Sequence, residues 1–385
     1  MNDPVADRRF MTEALRLARR GLYSTSPNPR VGCVIVRNGH IVGRGWHERA
    51  GEPHAEVLAL RDAGAAAQGA TVYLTLEPCS HHGRTPPCCE ALVAAGVARV
   101  VVAMRDPNPL VAGRGSDHLR GHGIAVEEGL LGDLARELNI GFVSRMERRR
   151  PWFRLKLASS LDGRTAMASG ESKWLTGIAA RSDVQRLRAR SCAIVSGIES
   201  VLADNSALNV RVGEMALEEP LAEPVRQPLR VVLDSNLRLR PPARIFGPGG
   251  QLVVVTARTD ERAWQPLLDA GAEVVSLPAS HGRVDLPALA LWLAERQCNE
   301  VLVECGATLA GAFWQAGLVD HLTVYMAPTL LGSTGRPLLQ LPFEQMRQQQ
   351  RLVVRDLRAV GSDWRIDAEP VRREQPDPTA VNGAQ

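Results

Sequence analysis

Seven short apolar runs, at 153–159, 193–196, 229–234, 251–256, 273–277, 301–305 and 322–327, recur through the later part of the chain with helical patterns between several of them. Runs this short and this apolar bury both faces, which a mainly parallel sheet covered by helices allows. Ligands of such sheets usually bind beyond the carboxyl ends of the strands. The earlier part shows a related α/β sandwich pattern. Phe10, Ala14, Leu17 and Ala18 give residues 5–20 a helical spacing, and strands at 31–36 and 41–45 flank an Asn38-Gly39 hairpin turn. Helices follow at 53–63 and 89–95, with strands at 71–76 and 99–103. A chain of 385 residues has room for two or three folded units. The charged run from Arg145 to Arg150, closed by Pro151, reads as a linker between units 1–147 and 148–368. Residues 369–385 are rich in Pro, Glu, Arg and small polar side chains and read as a disordered tail.

Charge excludes some functions. Lys and Arg number 46 against 42 Asp and Glu, so the net charge of +4 is too dilute for a surface built to hold polyphosphate. The 16 Phe, Trp and Tyr side chains are too few for a base-stacking platform. With no 18-residue apolar run and no apolar core behind Met1, the sequence predicts a cytoplasmic protein without a membrane partner. Seven sparse cysteines in a reducing compartment read as buried thiols, ligands or nucleophiles, not disulfides.

The strongest chemical signal is His54-Ala55-Glu56, followed by Pro78-Cys79 and by Cys88. One imidazole and two thiolates make a three-ligand zinc site with a fourth position open to water. Pro53 and Pro86-Pro87 start helices near His54 and Cys88, where the helix dipole favours negative charge. Residues two apart on a helix diverge by roughly 200°, so the metal must sit off the helix end. From there Glu56 can take a proton from water and return it to a leaving group, which is the chemistry of hydrolytic deamination. H-x-E with P-C-x-x-C is the general signature of zinc nucleobase deaminases. Here eight residues, Ser80 to Pro87, replace the usual two between the cysteines and must bulge over the site. A closed structural zinc site, completed by Cys89, His81 or His82, is the competing reading.

The runs Pro27-Asn-Pro-Arg-Val-Gly-Cys-Val-Ile-Val36, Ala50-Gly-Glu-Pro-His-Ala-Glu56 and Thr75-Leu-Glu-Pro-Cys-Ser-His-His-Gly-Arg-Thr-Pro-Pro-Cys88 closely resemble the RibD family of bifunctional riboflavin-biosynthesis deaminase-reductases, whose long cysteine spacing they share. The resemblance implies a cytidine-deaminase-like α/β/α sandwich over 1–147. Its activity would be zinc-dependent deamination of 2,5-diamino-6-(5-phosphoribosylamino)pyrimidin-4-one to the uracil. By motif position, His54, Cys79 and Cys88 match the family's zinc ligands and Glu56 its proton shuttle. Asn28, His47, His81 and Arg84 match residues that hold the pyrimidine and ribose phosphate.

The later unit has no strand-linked G-x-G-x-x-G. Its Val301-to-Gly311 segment runs from strand into helix with Gly306 at the turn, where free N–H groups suit a pyrophosphate. The segments Leu155 to Arg164, Ser169 to Trp174 and Val201 to Asn205 resemble the reductase half of the same family. That resemblance implies a dihydrofolate-reductase-like fold that uses NADPH to convert the ribosyl group to ribityl. It implies a cofactor lined by Ala158, Trp174, Ser200, Asp204, Ser235, Gly306, Ala307, Thr308, Leu309, Ala310, Gly311 and Ala312. The sugar phosphate would face Lys156, Ser172, Arg188, Leu208, Arg211 and Glu304. It also implies a homo-oligomer acting on a small pyrimidine ribotide. Three other readings compete: a deaminase with a non-catalytic second unit, a nucleic-acid-editing enzyme, and a protein whose zinc is only structural.

Overall fold

The structure, a computed structural model, describes residues 3–80, 87–109, 111–221 and 223–371. Asp3 caps α1 (Pro4–Arg20) by accepting the N–H groups of Val5 and Ala6. Then come β1 (Gly32–Arg37), β2 (His40–Trp46), α2 (Ala55–Ala63), β3 (Thr71–Leu74), α3 (Cys88–Ala94), β4 (Arg99–Val102), α4 (Arg114–Gly121), β5 (Ala125–Glu128), α5 (Gly132–Leu138) and α6 (Ile140–Arg148). The sheet order is β2-β1-β3-β4-β5, with β1 antiparallel to both neighbours and β3, β4 and β5 parallel. Asn38 and Gly39 both take positive φ, the conformation a two-residue hairpin needs.

Strand alternation sorts the side chains. Cys33, Ile35, Val72, Leu74, Val100 and Val102 face α2, α3 and α4. Val34, Val36, Tyr73 and Val101 face α1 and the α5–α6 pair. The result is the expected α/β/α sandwich. A Cβ on Gly45 of β2 would lie 2.2 Å from the carbonyl oxygen of Ala55. Only glycine lets the start of α2, which carries His54 and Glu56, lie flush on the sheet.

The second unit contains β6 (Trp152–Ser160), β7 (Arg164–Ala166), α7 (Ile178–Arg190), β8 (Ala193–Gly197), α8 (Ile198–Asp204), β9 (Leu229–Leu233), β10 (Leu252–Thr256), α9 (Gln265–Asp269) and β11 (Glu273–Ser276). It continues with β12 (Ala279–Ser280), β13 (Arg283–Val284), α10 (Leu286–Glu295), β14 (Glu300–Glu304), α11 (Ala307–Gln315), β15 (His321–Ala327), β16 (Arg336–Pro337), β17 (Leu352–Val360) and β18 (Asp363–Pro370). Nine strands form one sheet in the order β11-β10-β9-β8-β14-β6-β15-β18-β17. The seven apolar runs are its parallel part, with β14 between β8 and β6. The β17–β18 hairpin adds an antiparallel edge through β15. Among the described residues no helix is long and apolar enough to cross a membrane.

Two expectations need correction. Glu369 and Pro370 do not begin a tail: they pair with Val353 and Leu352, because a backbone ladder holds a strand whatever its polarity. Residues 372–385 lie outside the described part. The run expected as a linker is the last turn of α6 and the residues after it, and its arginines bind across the joint. Arg148 and Arg150 each reach the buried Asp320 of the second unit at 2.7 Å, and Arg145 reaches Asn299, also at 2.7 Å. Close by, Glu300 bonds Arg30 of the first unit at 2.7 Å and Arg190 at 2.8 Å, and all three side chains are largely shielded from solvent. Burial pushes the Glu300 carboxyl upward, yet the two guanidiniums outweigh it and hold the group down to about 2.

Candidate active sites

His54 is the N-cap of α2 and Pro87 that of α3, so both helices open toward one point. His54 Nδ1 lies 3.3 Å from Cys88 Sγ and 3.7 Å from Cys79 Sγ, and the three donor atoms all fall within 4.8 Å of one another. A tetrahedral zinc with arms of about 2.0–2.3 Å has edges near 3.5 Å, so this donor set fits the ion in chemistry and size. The N–H of Cys88 at the start of α3 donates to Cys79 Sγ at 3.3 Å. Hydrogen bonding from the Cys88 thiol, with that N–H and the imidazole, holds Cys79 down to about 4 against the effect of burial. The same contact with Cys79, together with burial, pushes Cys88 up.

Glu56, in the first turn of α2, is 3% exposed and stands outside the ligand trio. Burial raises its carboxyl above the ordinary range. Cys89 packs in the sandwich core beside Leu92 and is no part of the trio. Asn28 reaches His47 Nε2 through its amide nitrogen at 3.0 Å, and His47 Nδ1 meets the Pro53 carbonyl at 3.2 Å. With Nδ1–H donated to Pro53, Nε2 is the acceptor for the Asn28 amide. Burial lowers the His47 pKa, consistent with this neutral tautomer. The ring stands edge-on to His54 with centroids 5.4 Å apart. His81 and Arg84 lie outside the described residues.

One residue escaped the sequence reasoning. Glu77 is buried, and its carboxylate accepts the backbone N–H groups of Asp106, Gly113, Gly115 and Ser116 at 2.9–3.3 Å. It ties the loop after β4 to the backbone just before Cys79. The signal was present, an acidic residue between an apolar strand and Pro-Cys, but its partners are backbone groups that no motif displays. Glu77→Gln leaves an amide N–H facing those donors. It is expected to cost about 2–4 kcal/mol of stability and to weaken zinc retention, as urea unfolding and metal titration would show.

The second cluster sits at the carboxyl end of β14, beside the middle of β6. Arg188 of α7 binds Glu304 through two bonds, Nε to Oε1 at 2.6 Å and Nη2 to Oε2 at 3.0 Å, and its Nη1 donates to the Asn209 carbonyl. Lys156 stands 4.0 Å from Glu304. Burial lowers the Lys156 pKa, partly offset by that carboxylate. Around this cluster the expected residues divide. Arg211 is tied to Glu214 at 2.6 Å, and Asp204 ends α8 beside Lys173. Ser235 accepts the N–H of Val284, while Ala158 is half-buried on β6. Trp174 is 74% exposed with the Arg181 guanidinium 4.7 Å from its ring centroid. Ser172 is exposed nearby in sequence.

Three placements differ from expectation. The Gly306 N–H, expected to be free for a pyrophosphate, donates to Ser200 Oγ at 3.0 Å. Ala307 and Thr308 open α11, but Leu309, Ala310 and Ala312 pack on the sheet core, and Gly311 presses on the Gln340 carbonyl, where a Cβ would come within 2.0 Å. The helix surface that can meet a ligand is its first turn. Leu208, at φ +49°, buries its side chain in the core and has only backbone to offer.

A zinc-type deaminase sandwich joined to a parallel-sheet reductase unit is therefore the class that fold and sites define. Residues 4–104 match the family model described as the cytidine and deoxycytidylate deaminase zinc-binding region, and residues 151–366 match the RibD C-terminal domain. The chain is 52% identical over 361 residues to the riboflavin biosynthesis protein RibD of Escherichia coli (strain K12), covering 93% of this chain and 97% of that one. It is 46% identical over 365 residues to RibD of Haemophilus influenzae, covering 94% and 96%. Among solved structures, Acinetobacter baumannii RibD superposes with a TM-score of 0.89 at 49% identity over 96% of this chain and 100% of that one. A Thermotoga maritima protein described as a diaminohydroxyphosphoribosylaminopyrimidine deaminase/5-amino-6-(5-phosphoribosylamino)uracil reductase gives 0.83 at 31% identity, covering 96% and 99%. The chain belongs to the RibD family. It is a bifunctional deaminase and reductase of riboflavin biosynthesis whose cofactors are zinc and NADPH.

Proposed function

We propose that the first unit, residues 1–147, deaminates 2,5-diamino-6-(5-phosphoribosylamino)pyrimidin-4-one, and that the second, 148–368, reduces the ribosyl group of the resulting uracil. The observation that carries the first half is the His54, Cys79 and Cys88 trio at two helix starts with a buried carboxyl beside it. Zinc held there supplies a water activated near neutral pH. Glu56 accepts the proton of the attacking water and delivers it to the departing amine, which leaves as ammonia. Asn28, oriented by His47, presents its carbonyl end to the pyrimidine, and His81 and Arg84 complete the hold on base and phosphate.

In the second unit NADPH supplies the hydride. Lys156, Arg188, Arg211 and Glu304 grip the sugar phosphate and its hydroxyls, with Ser172 and the Leu208 backbone beside them. Ala158, Trp174, Ser200, Asp204, Ser235 and the start of α11 from Gly306 orient the cofactor. The substrate is a free ribotide, with neither nucleic acid nor membrane as partner, in the cytoplasm. A homo-oligomer is supported by β17, an edge strand that exposes Val354 and Leu357.

The test supplies the diaminopyrimidine ribotide to zinc-replete protein, follows ammonia, then adds NADPH and follows its absorbance. Ammonia is expected without NADPH, and NADPH oxidation only after deamination. Oxidation of NADPH with undeaminated ribotide at the same rate contradicts this order.

A further inference from the structure

We infer that Asn299 and Glu300, at the start of β14 in the reductase unit, are positioning residues for deamination, a conclusion that rests on the reading of Asn28 and His47 as substrate contacts. The segment that carries Asn28 is clamped from the other unit on both sides. Ahead of it, Asn299 Nδ2 donates to the Pro27 carbonyl at 2.7 Å, while its Oδ1 accepts from Arg145 Nε at 2.7 Å. Behind it, the Arg30 guanidinium bonds Glu300 at 2.7 Å, and its backbone N–H and carbonyl are both taken by Asn139, at 2.8 and 3.0 Å. Ser26 adds a contact of 3.4 Å from the Cys192 thiol, whose sulfur in turn accepts the Asn299 N–H at 3.1 Å.

Asn299, Glu300 and Arg30 are all buried, and a Cβ on Gly141 would come within 2.7 Å of the Asn299 carbonyl, so the joint has no slack. From it a short chain of contacts runs through Pro27 and Asn28 to His47 and on to His54. The far end of the same five-residue strand carries Glu304. One strand thus sets the substrate loop of the deaminase at its amino end and the anion site of the reductase at its carboxyl end. Held loops of this kind act on substrate geometry, and a displacement of about 1 Å can cost a hundredfold in rate.

Asn299→Asp in the full chain isolates the bond, because it keeps the acceptor for Arg145 and removes the donor to Pro27. The expected result is a deamination KM at least five times higher, zinc content unchanged, and NADPH oxidation with the deaminated ribotide within twofold of wild type. The same pattern is expected of Asn299→Ala, which guards against an effect of the new charge. An unchanged deamination KM overturns the inference. So does an equal loss of both activities, which marks a general defect of β14, and so does loss of zinc. Asn28→Ala separates the two readings. If it too leaves KM unchanged, the substrate-contact reading fails. If it raises KM while the Asn299 variants do not, only the clamp fails.

Discussion

Glu56→Gln is expected to cut the deamination kcat by about 10²–10⁴-fold, the range a positioned acid–base group contributes, while zinc stays bound and reduction of the deaminated ribotide proceeds at its normal rate. The argument is geometric. The glutamine keeps the shape and burial of a side chain that is 3% exposed, so α2 keeps its place on the sheet. The three donor atoms placed to hold an ion do not include Glu56, so metal content has no reason to fall. What disappears is the only function an amide cannot supply, accepting a proton from water and passing it on. Reduction should be unaffected because Lys156 and Glu304 lie on the other sheet and Arg188 on α7 bonded to Glu304. The measurement is ammonia release per zinc equivalent alongside NADPH consumption. Ammonia at wild-type rate from zinc-loaded Glu56→Gln would remove the proton-transfer role.

Much of this site was legible because the chemistry and the local structure share one short stretch of chain. Pro53 before His54 and Pro87 before Cys88 mark the helix starts at which the ligands meet. The 200° divergence of His54 and Glu56 already required the metal to lie off the helix end, where the trio is found. The strands of the second sheet were legible for a similar reason: a buried parallel strand is a run of apolar residues and little else. The β17–β18 edge was not. Leu352–Val360 interleaves Arg355, Asp356 and Arg358 with its apolar residues and is exposed on most positions, so neither alternation nor burial marks it.

Partners far apart in sequence were the other blind spot. Arg148 and Arg150 look solvated until Asp320 is folded against them, and nothing near Arg30 announces Glu300. The Gly306 turn was legible as a turn, but Ser200 lies on α8 and its capture of that N–H is a tertiary fact. Leu208 shows the limit of carrying a role over by motif position, since the position matches while the side chain faces the core.

The buried Arg188–Glu304 pair separates stability from function. In Arg188→Leu the Glu304 carboxylate loses two bonds at 2.6 and 3.0 Å and keeps Lys156 at 4.0 Å. Breaking a buried pair by removing one partner typically costs about 3–5 kcal/mol, so the urea midpoint should fall sharply. Reduction should fall at least about a hundredfold in kcat/KM, equivalent to roughly 2.7 kcal/mol of transition-state stabilisation. Adding Glu304→Leu removes the orphaned charge, and replacing both members of such a pair with apolar groups is often neutral. The double variant should therefore recover most of the stability and none of the reduction, since the side chains proposed to hold the phosphate and hydroxyls are gone. Deamination should persist in both, because β14 meets the first unit at Glu300 and Asn299, not at Glu304. A double variant that regains both stability and reduction would show the pair to be a core strut, and the sugar phosphate would then have to bind elsewhere.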